Sequence, residues 1–464
     1  MVSLVKLSPE RPSAWLESVR LIEAWFATKE RIDRLMEQAS PSLPHTERAR
    51  CQHLVFGVVR HSGRLEKTLG QFVAHPPRFV TRAILYVAGF EIIDEPAQIA
   101  QIVHHAVQHA KSLTSIPEAK LVNAVARKMA KSLIEEVPPV ALASSDSLAA
   151  YYSHPEWLVK RWLVTLGAQA TRALLEWNQS PAPVFARWRA GDDASAGPVP
   201  EWLKPTPWKN FYEIASGKWS EVEPLLKAGT IYLQDPATRI AVDLLDPKPG
   251  EQVLDLCAAP GGKSLLIADR LKTEGLLVSW DLPESRVDRL RENLSRAKGL
   301  KTEVVIGDII GEGARCLRQE NLQVLYDAVL IDVSCSNTGV MRHRVDVRWR
   351  LQESDFGRHS RQQTLLLDAA ATYVKEGGRL VYSTCSIDAD ENERVADAFI
   401  KKNEGRFVLE KKEISYPWVS GHDGAAAFLF KRISIKKALR KRGAFFVERN
   451  FPLNSSFALG LALY

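Results

Sequence analysis

The sequence predicts a multi-domain chain: an all-α N-terminal unit, a small mixed α/β module, and an α/β domain on a mainly parallel sheet covered by helices on both faces. Three observations carry this. The 464 residues exceed what one hydrophobic core serves, which points to about two to four domains. From about Ala14 to Met129 apolar residues recur at three- and four-residue spacing, the period of a helix face. From Thr230 onward short apolar runs alternate with helix-period segments, the pattern of strands joined by crossover helices.

The helical unit is read from AWLESVRLIEAWF, CQHLVFGVVRHSGRLEKTLGQFV and FVTRAILYVAGFEII, with AHPPR and DEPAQ as breaks between them. VPPVALASSDSLAA, Val137–Ala150, has no period and reads as a linker. The next stretch, to Gly229, predicts a helix in PEWLVKRWLVTLG, a strand in PVFARWR and several turns. The alternating part runs EQVLDLC, GKSLLIADRL, LLVSWD, ESRVDRLRENLSRA, TEVVIG, YDAVLID, HSRQQTLLLDAAATYV, RLVYSTC, NERVADAFIKK. These segments set domain boundaries at 1–140, 141–229 and 230–432, and leave 433–464 as an unassigned extension.

Hydrophobic residues at 45% and charged residues at 25% are ordinary for a soluble globular protein and argue against long disorder. Lys+Arg number 62 against 55 Asp+Glu, a net +7 that favours a polyanionic partner, nucleic acid first. The densest basic run is KRISIKKALRKR, Lys431–Arg442, which reads either as a phosphate-binding face or as a solvated one. The five cysteines, Cys51, Cys257, Cys316, Cys335 and Cys385, show no CxxC spacing, so neither a disulfide framework nor a metal site is expected. No apolar signal core opens the chain, and no window offers the roughly 18 apolar residues of a membrane span. The expectation is a cytoplasmic monomer with reduced thiols.

Ligands of an open parallel sheet collect outside the carboxyl ends of its strands. There VLDL runs into Cys257, Ala258, Ala259, Pro260, Gly261, Gly262 and Lys263, small residues that let backbone amides approach a ligand at a helix N-terminus. A P-loop would need glycine at 257, and the dinucleotide pattern GxGxxG is absent. Asp281 ends the next strand 19 residues after Gly262, where an acid can take a ribose diol, and Asp308 ends TEVVIGD. An adenosine-bearing ligand without pyrophosphate fits, and S-adenosylmethionine answers that description. The competing reading is that Asp281 and Asp308 cap the helices that follow.

Two thiols end two further strands: Cys335 after YDAVLID, and Cys385 in STCS fifty residues later. Successive strands of such a sheet tend to be neighbours, so both thiols should face one crevice beside the methyl donor. Free cysteines are more often inert and buried. Pyrimidine C5, however, is a poor nucleophile towards a sulfonium methyl, and a thiolate adding to C6 moves electron density to C5. A second group must then take the C5 proton or assist expulsion of the thiolate. Asp332, at the end of the first of these strands, could stabilise charge at N3 and the exocyclic amine, provided that it holds a proton.

These residues together resemble the Sun/Nop2 family of RNA cytosine-C5 methyltransferases. The likeness rests on DLCAAPGGKS, Asp281, Asp308, the segment from Asp332 to Gly339, and STCS, with LQDPATRIAV, DADENERV and HDGAAAFLFKR as flanking motifs, over about Thr230 to Arg432. Upstream, ERARCQHLVFGVVR with LVNAVARKM resembles the NusB-type helical domain of bacterial members that methylate a cytosine of small-subunit ribosomal RNA, and SHPEWLVKRW with NQSPAPVFARW resembles their joining module. The resemblance implies a Rossmann-like S-adenosylmethionine-dependent domain, a covalent adduct on Cys385, release promoted by Cys335, and donor binding by Cys257 to Lys263 with Asp281, Asp308 and Asp332. It also implies an RNA partner, small-subunit ribosomal RNA first.

Two departures stand out. Val333 and Ser334 replace the family's usual Ala-Pro before the release cysteine, which puts the aim of Cys335 in question. Asn337 stands where Gly, Ala or Ser is commoner. A cytosine in a duplex hides C6, so the target must be single-stranded or flipped out. Arg342, His343, Arg344, Trp188 and Trp202 are candidates to grip it, with core packing the plainer reading for each tryptophan. The rival to an enzyme is a NusB/Rossmann-like protein that holds ribosomal RNA without methylating it. A methyltransferase for protein or small molecules is a third reading. Neither needs a second thiol.

Overall fold

The computed structural model describes residues 13–189, 198–283 and 286–434. The periodic N-terminal segments form helices Ala14–Thr28, Ile32–Glu37, His45–Gly70, Phe79–Asp94, Ile99–Leu113 and Ile116–Glu135. Phe79–Asp94 is apolar almost all round, with Ala83, Ile84, Tyr86, Val87 and Ile92 fully buried, so it is the central pillar of this unit. Within the stretch read as a linker, Ser145–Tyr151 is a helix. The Ser144 hydroxyl accepts from Ser147 N at 3.3 Å, and Leu148 shares a core with Leu158 and Trp162. A helix of two turns shows no period, so capping and one buried leucine decide it.

The middle module has helices Glu156–Leu166 and Ala168–Gln179 and four short strands: β1 (Phe185–Trp188), β2 (Leu203–Pro205), β3 (Phe211–Ile214) and β4 (Ile231–Leu233). They form an antiparallel sheet in the order β2-β3-β1-β4. Trp188 is buried in its core with Ala186, Val222 and Ile231, and Trp202 packs against the same cluster. Trp188 is therefore a packing residue and not a stacking platform.

The large sheet contains β5 (Gln252–Leu256), β6 (Leu276–Asp281), β7 (Lys301–Ile306), β8 (Tyr326–Asp332), β9 (Val374–Thr384), β10 (Phe407–Ser415) and β11 (Ala425–Arg432), in the order β10-β11-β9-β8-β5-β6-β7. The run β9-β8-β5-β6-β7 is parallel, as expected. Chain order reverses between β5 and β8, which makes their carboxyl ends the topological switch point. Leu256 lies level with both Trp280 and Ile331, and Asp332 with Ser383, so four strands deliver their last residues to one crevice.

The hairpin β10–β11, in which β11 runs antiparallel to both of its neighbours, is new. Glu410, Lys411 and Lys412 on β10 are exposed, a charged edge that lacks the apolar run of a parallel strand. One segment ties the units together. Val345, downstream of Cys335, is buried in the N-terminal core, and Trp349 Nε1 donates to Val59 O at 2.9 Å. Between them Arg348 is fully buried and donates to Asn178 O (3.0 Å) and Met341 O (3.2 Å). Among the described residues no helix is long and apolar enough to cross a membrane.

Candidate active site

The loop after β5 turns sharply into helix Gly262–Leu271. Gly261 has φ 101°, and a Cβ there would meet Leu290 Cδ1 at 2.9 Å, so only glycine fits. The middle module braces this loop. Gln234 Nε2 donates to Gly262 O at 3.0 Å, Arg187 Nε donates to Gln234 Oε1 at 2.7 Å, and Asn293 Nδ2 bridges Pro260 O (2.7 Å) and Tyr232 Oη (3.1 Å).

Asp281, buried at the end of β6, accepts from Ala259 N and Leu282 N, both at 2.7 Å. These bonds fix its carboxylate against the loop. Asp308 lies beyond the edge strand β7, is exposed, and accepts from Ile310 N at 2.9 Å, the local turn contact that the capping reading describes. Cys257 has φ 59°, and burial pushes its thiol far above the ordinary range, so it is a wall residue and not a nucleophile.

On the other side of the switch point β8 and β9 are adjacent, and Cys335 Sγ lies 3.0 Å from Cys385 Sγ. Cys385 is half-buried and its thiol donates to Asn337 Oδ1 at 3.3 Å; Cys335 is buried. The bond to Cys385, with burial, raises the Cys335 thiol well above its usual value, so Cys335 is a proton donor at neutral pH. Asp332 accepts from Lys263 Nζ at its Oδ2 and from Ser383 Oγ at its Oδ1, both at 2.6 Å. Burial works against the Lys263 charge, but Asp332 outweighs it and raises the ammonium above its ordinary range.

The loop carrying Cys335 is held without the proline. Gln363 Nε2 donates to Ser334 O (3.0 Å) and Glu391 Oε1 (3.1 Å), and Glu391 accepts from Ser336 N (2.9 Å) and from the Ser336 hydroxyl. Asn337 takes φ 60°, a conformation that asparagine tolerates, and its Nδ2 donates to Cys335 O at 2.9 Å. Gly339 N donates to Cys385 O at 3.0 Å, and a Cβ at Gly339 would meet that oxygen at 2.7 Å. Ser334 N donates no hydrogen bond among the described residues. Ser334→Pro should therefore fold, gain up to about 1 kcal/mol from the stiffer unfolded chain, and methylate within about threefold of the parent. Thermal melts and initial rates check this, and a tenfold slower variant would mean that the proline angle misaims Cys335.

Sequence reasoning brought together Asp332, Cys335, Cys385 and the Gly-Gly loop but missed Glu391, Gln363 and the contact of Asn337 with Cys385. A polar Gln363 on an otherwise apolar helix face was the available signal for that tether; it is fully buried. Asp235 and Asp423, which line one cavity with Lys263, Asp332 and Cys385, lay in flanking motifs without a role. Of the basic run, Lys431 and Arg432 end β11; the cations from Lys436 on lie outside the described residues.

Residues 242–421 match the family described as 16S rRNA methyltransferase RsmB/F, and residues 16–131 match the NusB family. The α/β domain belongs to the RsmB/F methyltransferase family. Ribosomal RNA small subunit methyltransferase B of Yersinia enterocolitica is 29% identical over 388 residues, 81% of this chain and 86% of that protein. The crystal structure of PH0851 superposes with a TM-score of 0.70 at 22% identity over 92% of this chain and 100% of its own. NSun6 from Pyrococcus horikoshii, solved with SFG, gives 0.50 at 17% identity over 60% of this chain and 98% of its own.

The RsmB/F domain is that of an RNA methyltransferase whose methyl donor is S-adenosylmethionine. The crevice suits that donor. Asp281 ends β6 against the loop, and Asp255 Oδ1 is buried without a hydrogen-bond partner, an unmet acceptor of the kind an ammonium would answer. Burial pushes the Asp255 carboxyl up to about 7. Its folded value exceeds its unfolded one, so its contribution is fully present below about pH 4 and is lost as pH rises through about 7, about 4 kcal/mol in all. Asp255→Asn should flatten that loss. Thermal unfolding without donor at pH 5 and pH 8 measures it, and an equal drop in both proteins would refute it.

Proposed function

We propose that the protein forms 5-methylcytosine in small-subunit ribosomal RNA through a covalent adduct of Cys385 with cytosine C6. The reading rests chiefly on two thiols 3.0 Å apart at the ends of adjacent strands, beside the Asp332–Lys263 pair. An RNA-holding protein has no use for that pair of aimed thiols. Bound in the crevice, S-adenosylmethionine supplies an electrophilic methyl group; a structural relative was solved with SFG, an analogue of that donor.

The Cys385 thiol loses its proton to solvent, and its sulfur bonds to C6 as the C5–C6 double bond opens, which makes C5 electron-rich. Donors already occupy both oxygens of Asp332, so it accepts from the exocyclic amine, and the Lys263 ammonium answers the negative charge that builds on the ring. This differs from a protonated Asp332 donating to N3. After methylation Cys335, kept protonated, donates to the departing Cys385 sulfur. Cys257, Ala258, Ala259, Pro260, Gly261 and Gly262, with Asp281 and Asp308, hold the donor.

Residues 1–140 hold RNA, the small module that closes with β4 and Gln234 braces the donor loop, and the large sheet through residue 432 carries the chemistry, in a monomer acting in the cytoplasm. Bisulfite mapping of ribosomal RNA from cells lacking the gene tests reaction, polymer and position together. At least one small-subunit 5-methylcytosine should vanish; an unchanged map would overturn the proposal.

A further inference from the structure

Cytosine C5 methylation leaves one proton to be removed from C5, and the two-thiol scheme does not say what takes it. Cys335 is a thiol that stays protonated, which suits an acid and not a base. Asp332 is paired with Lys263 and Ser383, and its remaining lone pairs are given to the exocyclic amine. Glu391 is bonded to Ser336 and Gln363, and Asp388 to Arg161 and Thr338. Two further carboxylates line the Cys385 cavity, Asp235 and Asp423. Asp423 Oδ1 is paired with His343 Nδ1 at 3.0 Å. Asp235 Oδ1 accepts from Ala237 N (2.8 Å) and Asp423 N (3.2 Å), but its Oδ2 is buried with no partner.

We propose that Asp235 is the base that takes the C5 proton from the methylated adduct, an assignment that rests on the Cys385 mechanism above. The Asp235 Oδ2–H bond forms as C5–H breaks, and that electron pair becomes the C5–C6 double bond. The C6–S bond breaks with its pair on Cys385 Sγ, to which the Cys335 S–H donates, and Asp235 then returns the proton to solvent. Asp423 crowds Asp235 with negative charge, while His343, and Arg342 further out, oppose it. Burial, with Asp423, pushes the Asp235 carboxyl up to about 7, matched to accepting a proton at neutral pH. His343, whose bond to Asp423 overcomes the burial penalty on its charge, holds Asp423 aside.

The test uses RNA tritiated at cytosine C5 and donor labelled with ¹⁴C in the methyl group. Asp235→Asn should bind donor normally and form a denaturation-resistant RNA adduct that carries the ¹⁴C methyl and retains its tritium, with tritium release at least about 100-fold slower. Parent-like tritium release from Asp235→Asn would overturn the assignment, and so would absence of any adduct, because Asp235 would then act before proton removal. If Asp235→Asn does not fold, the parent protein decides. Its single-turnover tritium release should rise with pH through about 7 and then level, and a flat profile from pH 6 to 8.5 would overturn the assignment. Methylation surviving Cys385→Ala would instead sink the underlying mechanism, so the two failures are distinguishable.

Discussion

Cys385→Ala should abolish methyl transfer to RNA, lowering the single-turnover rate by about 10⁴-fold or more, the scale on which loss of an essential nucleophile acts. Donor binding should stay within about threefold, under 1 kcal/mol, because the Gly-Gly loop, Asp255 and Asp281 lie on β5 and β6 and make no bond to this thiol. Stability should change little, since the side chain is half-buried and loses two weak sulfur bonds, to Asn337 and to Cys335. Incorporation of labelled methyl, read beside donor titration calorimetry, separates the two effects. Full activity in this variant is incompatible with a covalent route.

Cys335→Ala should do the opposite to the adduct. With the proton donor 3.0 Å from Cys385 gone, the thiolate leaves slowly, and a protein–RNA species survives denaturing electrophoresis while turnover falls by about 100-fold. The truncation also empties a buried site and should cost about 1 kcal/mol of stability, visible as a modest drop in melting temperature. The double variant lacking both thiols gives no adduct band. A single Cys335→Ala protein that shows none either would remove Cys335 from the release step.

The candidate crevice was legible in the sequence wherever its residues lay at a strand end. Strand periodicity located β5, β6, β8 and β9, and in a parallel sheet the residue after each strand faces the crevice, so Asp281, Asp332, Cys335 and Cys385 could be read without coordinates. Long-range tethers were not legible. Gln363 and Glu391 are 28 residues apart and meet only because helix Glu353–Ala371 crosses behind the Cys335 loop. The β10–β11 hairpin escaped because exposed charges on β10 mask its alternation. Trp188 reads equally as a platform or a core residue until the small sheet forms around it. The lost proline looked like damage at Ser334, yet the tether from Gln363 to Ser334 O replaces its restraint by a nonlocal hydrogen bond.

The insertion of Val345 and Trp349 into the N-terminal unit has a consequence for biosynthesis. The helices that receive them are complete by Glu135, whereas Val345 is made some 200 residues later. At about 5–20 residues per second the receiving surface waits roughly 10–40 seconds uncovered beside the ribosome. The nascent chain thus displays an apolar acceptor for its own later segment.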